Sequence, residues 1–340
     1  MNPLLQKFKQ EFLESILEFL WRQWSLLGVP GYRGKDDLWI IDPEALIMFS
    51  LTFGRSEPRL LDEIINWLHV HGNLINIQRL KRVVATESFA SHGILSAIAA
   101  VISETGNTSK WGRISSADFS KHSENLFLNK IGEEARHYGK TDPVFEKYGF
   151  LRGPYRLRAH TQSIQIMKHT GLVFRLRSLL GINARVEILL YLLFHKTGHP
   201  RKIAREIYYF QKTVQDALVE MGGSEIIQVR SQGREKHYRL AQDDWYRLLK
   251  IQEPYPQWIN WPLLFRALEQ IWLKLCEPDF FMFDELYQSS ELRQLMTTVR
   301  GRIESSGIGQ LLTDDSHYLG IEYTPVFMKD IKQVLEFLNS

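Results

Sequence analysis

Apolar residues recur at i, i+4 steps along much of the chain, the period of a helix with one buried face. Leu4, Phe8, Phe12, Ile16, Leu20 and Trp24 form one such stripe, with Lys7, Lys9, Glu14 and Arg22 off it. This predicts a helix over 4–27, stopped by Gly28, Pro30 and Gly31. Asp42-Pro43-Glu44 reads as a helix start. Asp caps free N–H groups, Pro suits the first helical position, and Glu favours the positive dipole end. That helix is expected to reach about Phe53, with further helices from Pro58 to Gly72, Ile75 to Thr86 and Ser88 to Glu104. Residues 1–105 are therefore expected to be an N-terminal helical domain.

Residues 106–150 are rich in Gly, Asn and Ser at their start and predict an irregular connector, with a short helix near Ser123–Tyr138. Tyr155-Arg156-Leu157-Arg158-Ala159-His160 alternates apolar and basic, the period of a strand. A boundary is placed near 150. After Pro254 and Pro256 helical periodicity returns, with helices expected over Trp261–Cys276, Ser289–Ser306 and Thr324–Leu338. Residues 251–340 read as a C-terminal helical domain.

The segment between these flanks has a distinct pattern. Ala184–Phe194 is apolar around most of a helical circumference, which predicts a buried helix. Gly198 and Pro200 form a turn, and Arg201–Ile207 is a second helix with Ile203 and Ile207 facing inward. A third helix is expected over Gln211–Met221, with Val214, Ala217, Leu218 and Met221 as its buried stripe. Its opposite face then centres on Lys212, Gln215, Asp216 and Val219. Residues 226–231 and 236–240 alternate as two strands, joined by Gln232-Gly233-Arg234-Glu235.

The run IAREIYYFQKTVQDALVEM followed by IIQVRSQGREKHYRL resembles the winged helix-turn-helix domain of bacterial transcription regulators of the MarR and ArsR kind. The resemblance covers about 65 of the 340 residues and departs at Tyr208, where such motifs often carry Gly. It implies a mainly α fold, with a central winged helix-turn-helix at 151–250 between N- and C-terminal helical domains. It also implies a cytoplasmic bacterial protein that binds double-stranded DNA. The third helix would enter the major groove, where its first residues meet base edges. Gln211, Lys212, Thr213 and Gln215 stand at or near that end. Gln pairs with adenine and Lys donates to guanine. Arg230, Arg234 and Lys236 near the hairpin tip suit phosphates or a minor groove. Arg156 and Arg158, with His160, Arg175 and Arg177, are expected to extend the positive surface. An ion-paired role for Arg156 and Arg158 against the acidic C-terminal region stays open. So does a winged helix that serves as a protein-interaction module or scaffold without touching DNA.

Charge sharpens this picture. The whole chain is nearly balanced at +3. Residues 151–250, however, carry 18 basic against 8 acidic side chains, while 1–150 has 17 against 18 and 251–340 has 7 against 13. A basic middle between neutral and acidic flanks suits a polyanion.

Other chemistries find little support. The single cysteine, Cys276, allows no intrachain disulfide and no Cys-based zinc site, which fits a reducing compartment. It sits in an apolar helix with no base to activate it and reads as a core residue. No run approaches the 18 or so apolar residues of a membrane span, and the charged start of the chain lacks a signal-peptide core. No membrane partner is therefore expected. Gly139-Lys140-Thr141 resembles the end of a phosphate-binding loop, but Glu134 stands where the motif needs Gly. His69 and His71 fall at a helix end where neighbours point apart, and His195 and His199 read as structural. No metal, cofactor or catalytic constellation is expected. The chain has nine Trp, for which large cores or a homodimer interface are the expected uses.

Overall fold

The computed structural model describes residues 3–340 except 32–37, 106–108, 116–122, 159, 234 and 316. The fold is mainly helical. The N-terminal part holds α1 (Pro3–Leu26), α2 (Pro43–Phe53), α3 (Pro58–His71), α4 (Ile77–Glu87) and α5 (His92–Thr105), followed by α6 (Pro143–Lys147). The middle part holds α7 (Leu172–Leu180), α8 (Ala184–Phe194), α9 (Pro200–Glu206), α10 (Gln211–Gly223) and α11 (Gln242–Leu248). The C-terminal part holds α12 (Trp261–Leu275), α13 (Glu285–Ile303) and α14 (Tyr323–Asn339). Two small sheets complete the described residues: β1 (Glu124–Asn125) parallel to β2 (Phe150–Leu151), and β3 (Gln228–Gln232) antiparallel to β4 (Glu235–Arg239). No helix among the described residues is long and apolar enough to cross a membrane.

Local rules account for the helix starts. Asp42 caps α2, accepting from Ala45 N at 3.0 Å, with Pro43 in the first turn. Asn76 and Asn183 cap α4 and α8 in the same way. The α1 stripe is buried from Phe8 to Trp24, while Leu4 stays exposed. Every residue of α2 is buried, so its polar members need internal partners. Ser50 Oγ donates to the Leu46 carbonyl and accepts from Trp24 Nε1 at 2.8 Å.

Two cores form. The larger draws on α1–α5 and on α12–α14 together: α1 packs on α14, and α2 on α12. The first and last helical segments, expected as separate units, thus share one interior. Trp24, Trp67, Trp111, Trp261 and Trp272 are fully buried there, and Phe49 stacks on Phe265 with ring centres 4.2 Å apart. Packing explains most of the tryptophan content. The smaller core belongs to residues 172–251, joined by Ile40. Phe174 and Tyr208 of the middle segment reach the other way, into the larger core.

Two sequence expectations fail for identifiable reasons. No helix forms near 123–138. That stretch supplies β1, which pairs with β2 further along, and a bend in which Leu128 bridges Glu134. Residues 155–158 form no strand, although exposure alternates as the sequence suggested. No neighbouring strand receives them. Helix side chains and caps satisfy the backbone instead: Arg158 N donates to Asn66 Oδ1 at 2.8 Å and Tyr155 N to Asp142 Oδ2 at 3.1 Å. The segment is an extended strap laid over α3.

Candidate nucleic-acid interface

α8, α9 and α10 follow one another through short turns and lead into the β3/β4 hairpin. The α10 stripe lies as its sequence dictates, with Val214, Ala217, Leu218 and Met221 buried. Gln211, Lys212, Thr213 and Gln215 are all exposed on the other face. No side chain caps α10, because Phe210 precedes it. The first-turn N–H groups are therefore open to solvent or to a ligand.

The hairpin pairs from Gln228↔Arg239 to Gln232↔Glu235. A third segment joins it. Gly198 and Tyr238 exchange both backbone hydrogen bonds at 2.9 Å, which ties the turn before α9 to β4. Any side chain at position 198 would strike Ile203 and Tyr191, so Gly198 is needed for this close approach. Arg230 and Lys236 are exposed on the hairpin. Arg234 lies outside the described residues.

Positive charge gathers around α10 from α9 before it and from α4 of the larger body. Arg201, Lys202 and Arg205 occupy the exposed face of α9. Arg82 of α4 stacks over the Phe210 ring, its guanidinium carbon 4.0 Å from the ring centre. The residue before it, Lys81, donates to the carbonyl of Arg113. The α9 cations were legible as the polar side of the Ile203/Ile207 stripe. Arg82 was not, because nothing local links position 82 to position 210.

Acidic groups temper the face. Lys212 Nζ pairs with Asp216 at 2.6 Å, Arg185 pairs with Glu220, and Arg205 pairs with Glu206 at 3.2 Å. Arg156 and Arg158 are exposed on the strap over α3, where Arg158 N bonds to Asn66 and the Arg158 charge acts on Asp62.

Arg177 does not extend the positive surface, and Arg175 is half-buried. Arg175 donates to the carbonyls of Ile166 and Leu249. Arg177 is buried and clamps Glu44 with both terminal nitrogens, at 2.7 and 2.8 Å, while also reaching Glu187 at 2.8 Å. Arg79 joins the same cluster through Glu44 and Asp42, and its Nε donates to the Ile207 carbonyl. Burial alone would raise the Glu44 carboxyl, but the charges of Arg177 and Arg79 and the Asn76 N–H hold it down at about 2. The cluster spans α2, α4, α7 and α8 and fixes the middle segment to the larger core.

The remaining candidates resolve as structural. His195 stacks flat on Tyr191 at 3.9 Å, and burial lowers its pKa. His199 Nδ1 accepts from Arg201 N at the start of α9. His69 and His71 bond to different partners, Thr105 and Gln162. Among the described residues no group of three His, Cys, Asp or Glu side chains is placed to hold a metal.

No family model, no curated protein and no solved structure matches this chain.

Proposed function

We propose that residues 172–251 form a winged helix-turn-helix and that the chain binds double-stranded DNA through it, in the role of a transcriptional regulator. The observation that carries this reading is the open polar face of α10, Gln211, Lys212, Thr213 and Gln215, at an uncapped helix start. A helix inserted in the major groove needs such a face clear of its own protein. α10 would read base edges, and its free N–H groups would meet phosphate. Arg230 and Lys236 of the wing, Arg201 and Lys202 of α9, and Arg82 of the body would hold the backbone on either side. The Gly198–Tyr238 bridge supports the winged assignment, because it makes the hairpin part of a three-segment sheet packed against the helices.

Selection of bound fragments from a genomic library, followed by salt titration of the recovered sites, tests the proposal. The expected result is an enriched sequence motif and an affinity that falls steeply with salt. Substituting Arg230 or Arg82 should weaken all sites alike and lower the salt slope by about one. Substituting Gln215 should alter the motif. Recovery of no enriched sequence, with retention no stronger than that of a neutral control protein, refutes DNA reading.

A second reading has one observation in its favour. Val219, Ile226 and Val229 are each exposed around the end of α10 and the start of β3. An apolar end to the helix suits a protein partner, with the winged helix as a platform. In that case no motif is enriched, and charging Val219 abolishes capture of a protein partner.

A further inference from the structure

Six large apolar side chains stand exposed together on the C-terminal part of the molecule. Met282, Phe283, Leu286 and Tyr287 come from the start of α13 and the turn before it, and Leu319 and Ile321 from the turn before α14. The two turns are held to each other. Ser289 Oγ donates to the Gly320 carbonyl at 2.6 Å, and Arg293 donates to the Tyr318 carbonyl. Leu286 Cδ1 lies 3.6 Å from where a Cβ on Gly320 would stand, and the Phe283 and Tyr287 rings are 4.4 Å apart. The six therefore form one surface rather than scattered exposures.

Its size decides what it is for. Met282 is 75% exposed, Leu319 68% and Leu286 59%. Taking about 200 Å² for a large apolar residue in the open, the six leave roughly 700 Å² facing water. The largest apolar patch of a lone soluble protein is about 300–600 Å². A standard protein interface takes about 800 Å² from each partner.

We propose that this face is a two-fold interface between two copies of the chain. A patch of this area supplies one complete side of a standard interface, and a two-fold axis makes one patch serve as both sides. Burial of the six residues is then the driving force. Charge gives the interface a signature. Asp279, Asp284, Glu285 and Glu322 are exposed around the patch. Pairing two copies brings like charges together at the rim, so screening by salt strengthens association. A partner with a basic rim would show the opposite response. The inference does not depend on DNA binding.

Light scattering on the full chain, at low and high sodium chloride, is the test. The expected result is a particle of twice the 39.9 kDa chain mass, with the dimer fraction rising with salt. Leu286→Glu/Leu319→Glu should give a monomer with an unchanged circular dichroism spectrum. Leu179→Glu, at another exposed apolar site, should remain dimeric. If the double variant does not fold, Leu319→Glu alone, on the turn, is to be monomeric. A wild-type monomer at every salt concentration, a dimer that loosens with salt, or a charged variant that stays dimeric would each overturn the proposal.

Discussion

The Tyr208 hydroxyl donates to Glu87 Oε1 at 2.7 Å, and this bond joins the turn before α10 to the end of α4. Tyr208 sits at φ +61°, in the left-handed region where a residue with a side chain costs roughly 1–2 kcal/mol. The position is the one where the resembled motif carries Gly. Here the backbone keeps the glycine conformation while the residue gains a buried ring that plugs into the larger core. Glu87 takes a second partner in Arg302, so the same contact reaches α13. Replacing Tyr208 with Phe strands a buried carboxylate oxygen and should cost roughly 1–3 kcal/mol. Replacing it with Gly relieves the backbone but empties an aromatic site, a loss of about 3–5 kcal/mol before that relief. Urea unfolding should therefore place both Tyr208→Phe and Tyr208→Gly below wild type. A glycine variant as stable as wild type would show that the ring is dispensable.

Glu44 is the second anchor, and acid should reveal it. Its carboxyl is held at about 2 in the folded chain against an ordinary 4.5. A group whose pKa is depressed by folding stabilises fully above its unfolded value. That contribution fades as pH falls from about 4.5 toward 2. Stability of the wild type should drop across this window, and Glu44→Gln should flatten that part of the pH profile. At neutral pH the variant leaves Arg177 and Arg79 short of a buried partner, for a loss of about 3–5 kcal/mol. Urea midpoints from pH 7 down to the acid limit provide the measurement. An unchanged slope in the variant would place the titrating group elsewhere.

Where periodicity and capping are local, the sequence is a sufficient guide. The α2 start at Asp42-Pro43, the α10 stripe and the hairpin all follow from residues within a few positions of one another. What stays hidden depends on distant partners. Arg177 reads by residue type as a surface cation, yet the carboxylate that holds it inside is Glu44, 133 positions earlier. The alternation at 155–158 is sound as a record of exposure. Whether it becomes a strand depends on a neighbouring strand, and α3 stands there instead. Arg82 joins the proposed interface only because α4 packs beside the turn at Phe210.

Asp216 restrains the face proposed to read DNA. It stands one turn after Lys212 and pairs with it, while both remain exposed. It also adds negative charge where phosphate would approach. Asp216→Asn should free Lys212 and tighten binding to any duplex. The gain is about 1.4-fold to fivefold at low salt, given that such exposed pairs are worth roughly 0.2–1 kcal/mol. Fluorescence anisotropy on a specific and an unrelated duplex would show both gains, with the ratio between sites nearly unchanged. A gain confined to one sequence would instead make Asp216 a base-reading residue.

Cys276 should be inert in the folded chain. It lies at the end of α12, where burial pushes the thiol up to about 11 and the Lys9 ammonium offsets only part of that rise. Reaction with a disulfide reagent needs the thiolate. At pH 8 the native thiol should thus react far more slowly than the same thiol in urea, where its pKa returns to about 8.5. Packing adds to the protection, because Gly132 lies directly over the sulfur, at φ +84°, and a Cβ there would stand 2.5 Å from Sγ. Gly132→Ala must displace either that loop or the end of α12, so it should speed thiol modification while leaving the rate in urea unchanged. Absorbance assays on wild type and variant, with and without denaturant, give all four rates. Equal native rates for the two proteins would mean that the thiol is shielded by burial within α12 alone, without help from the 129–134 loop.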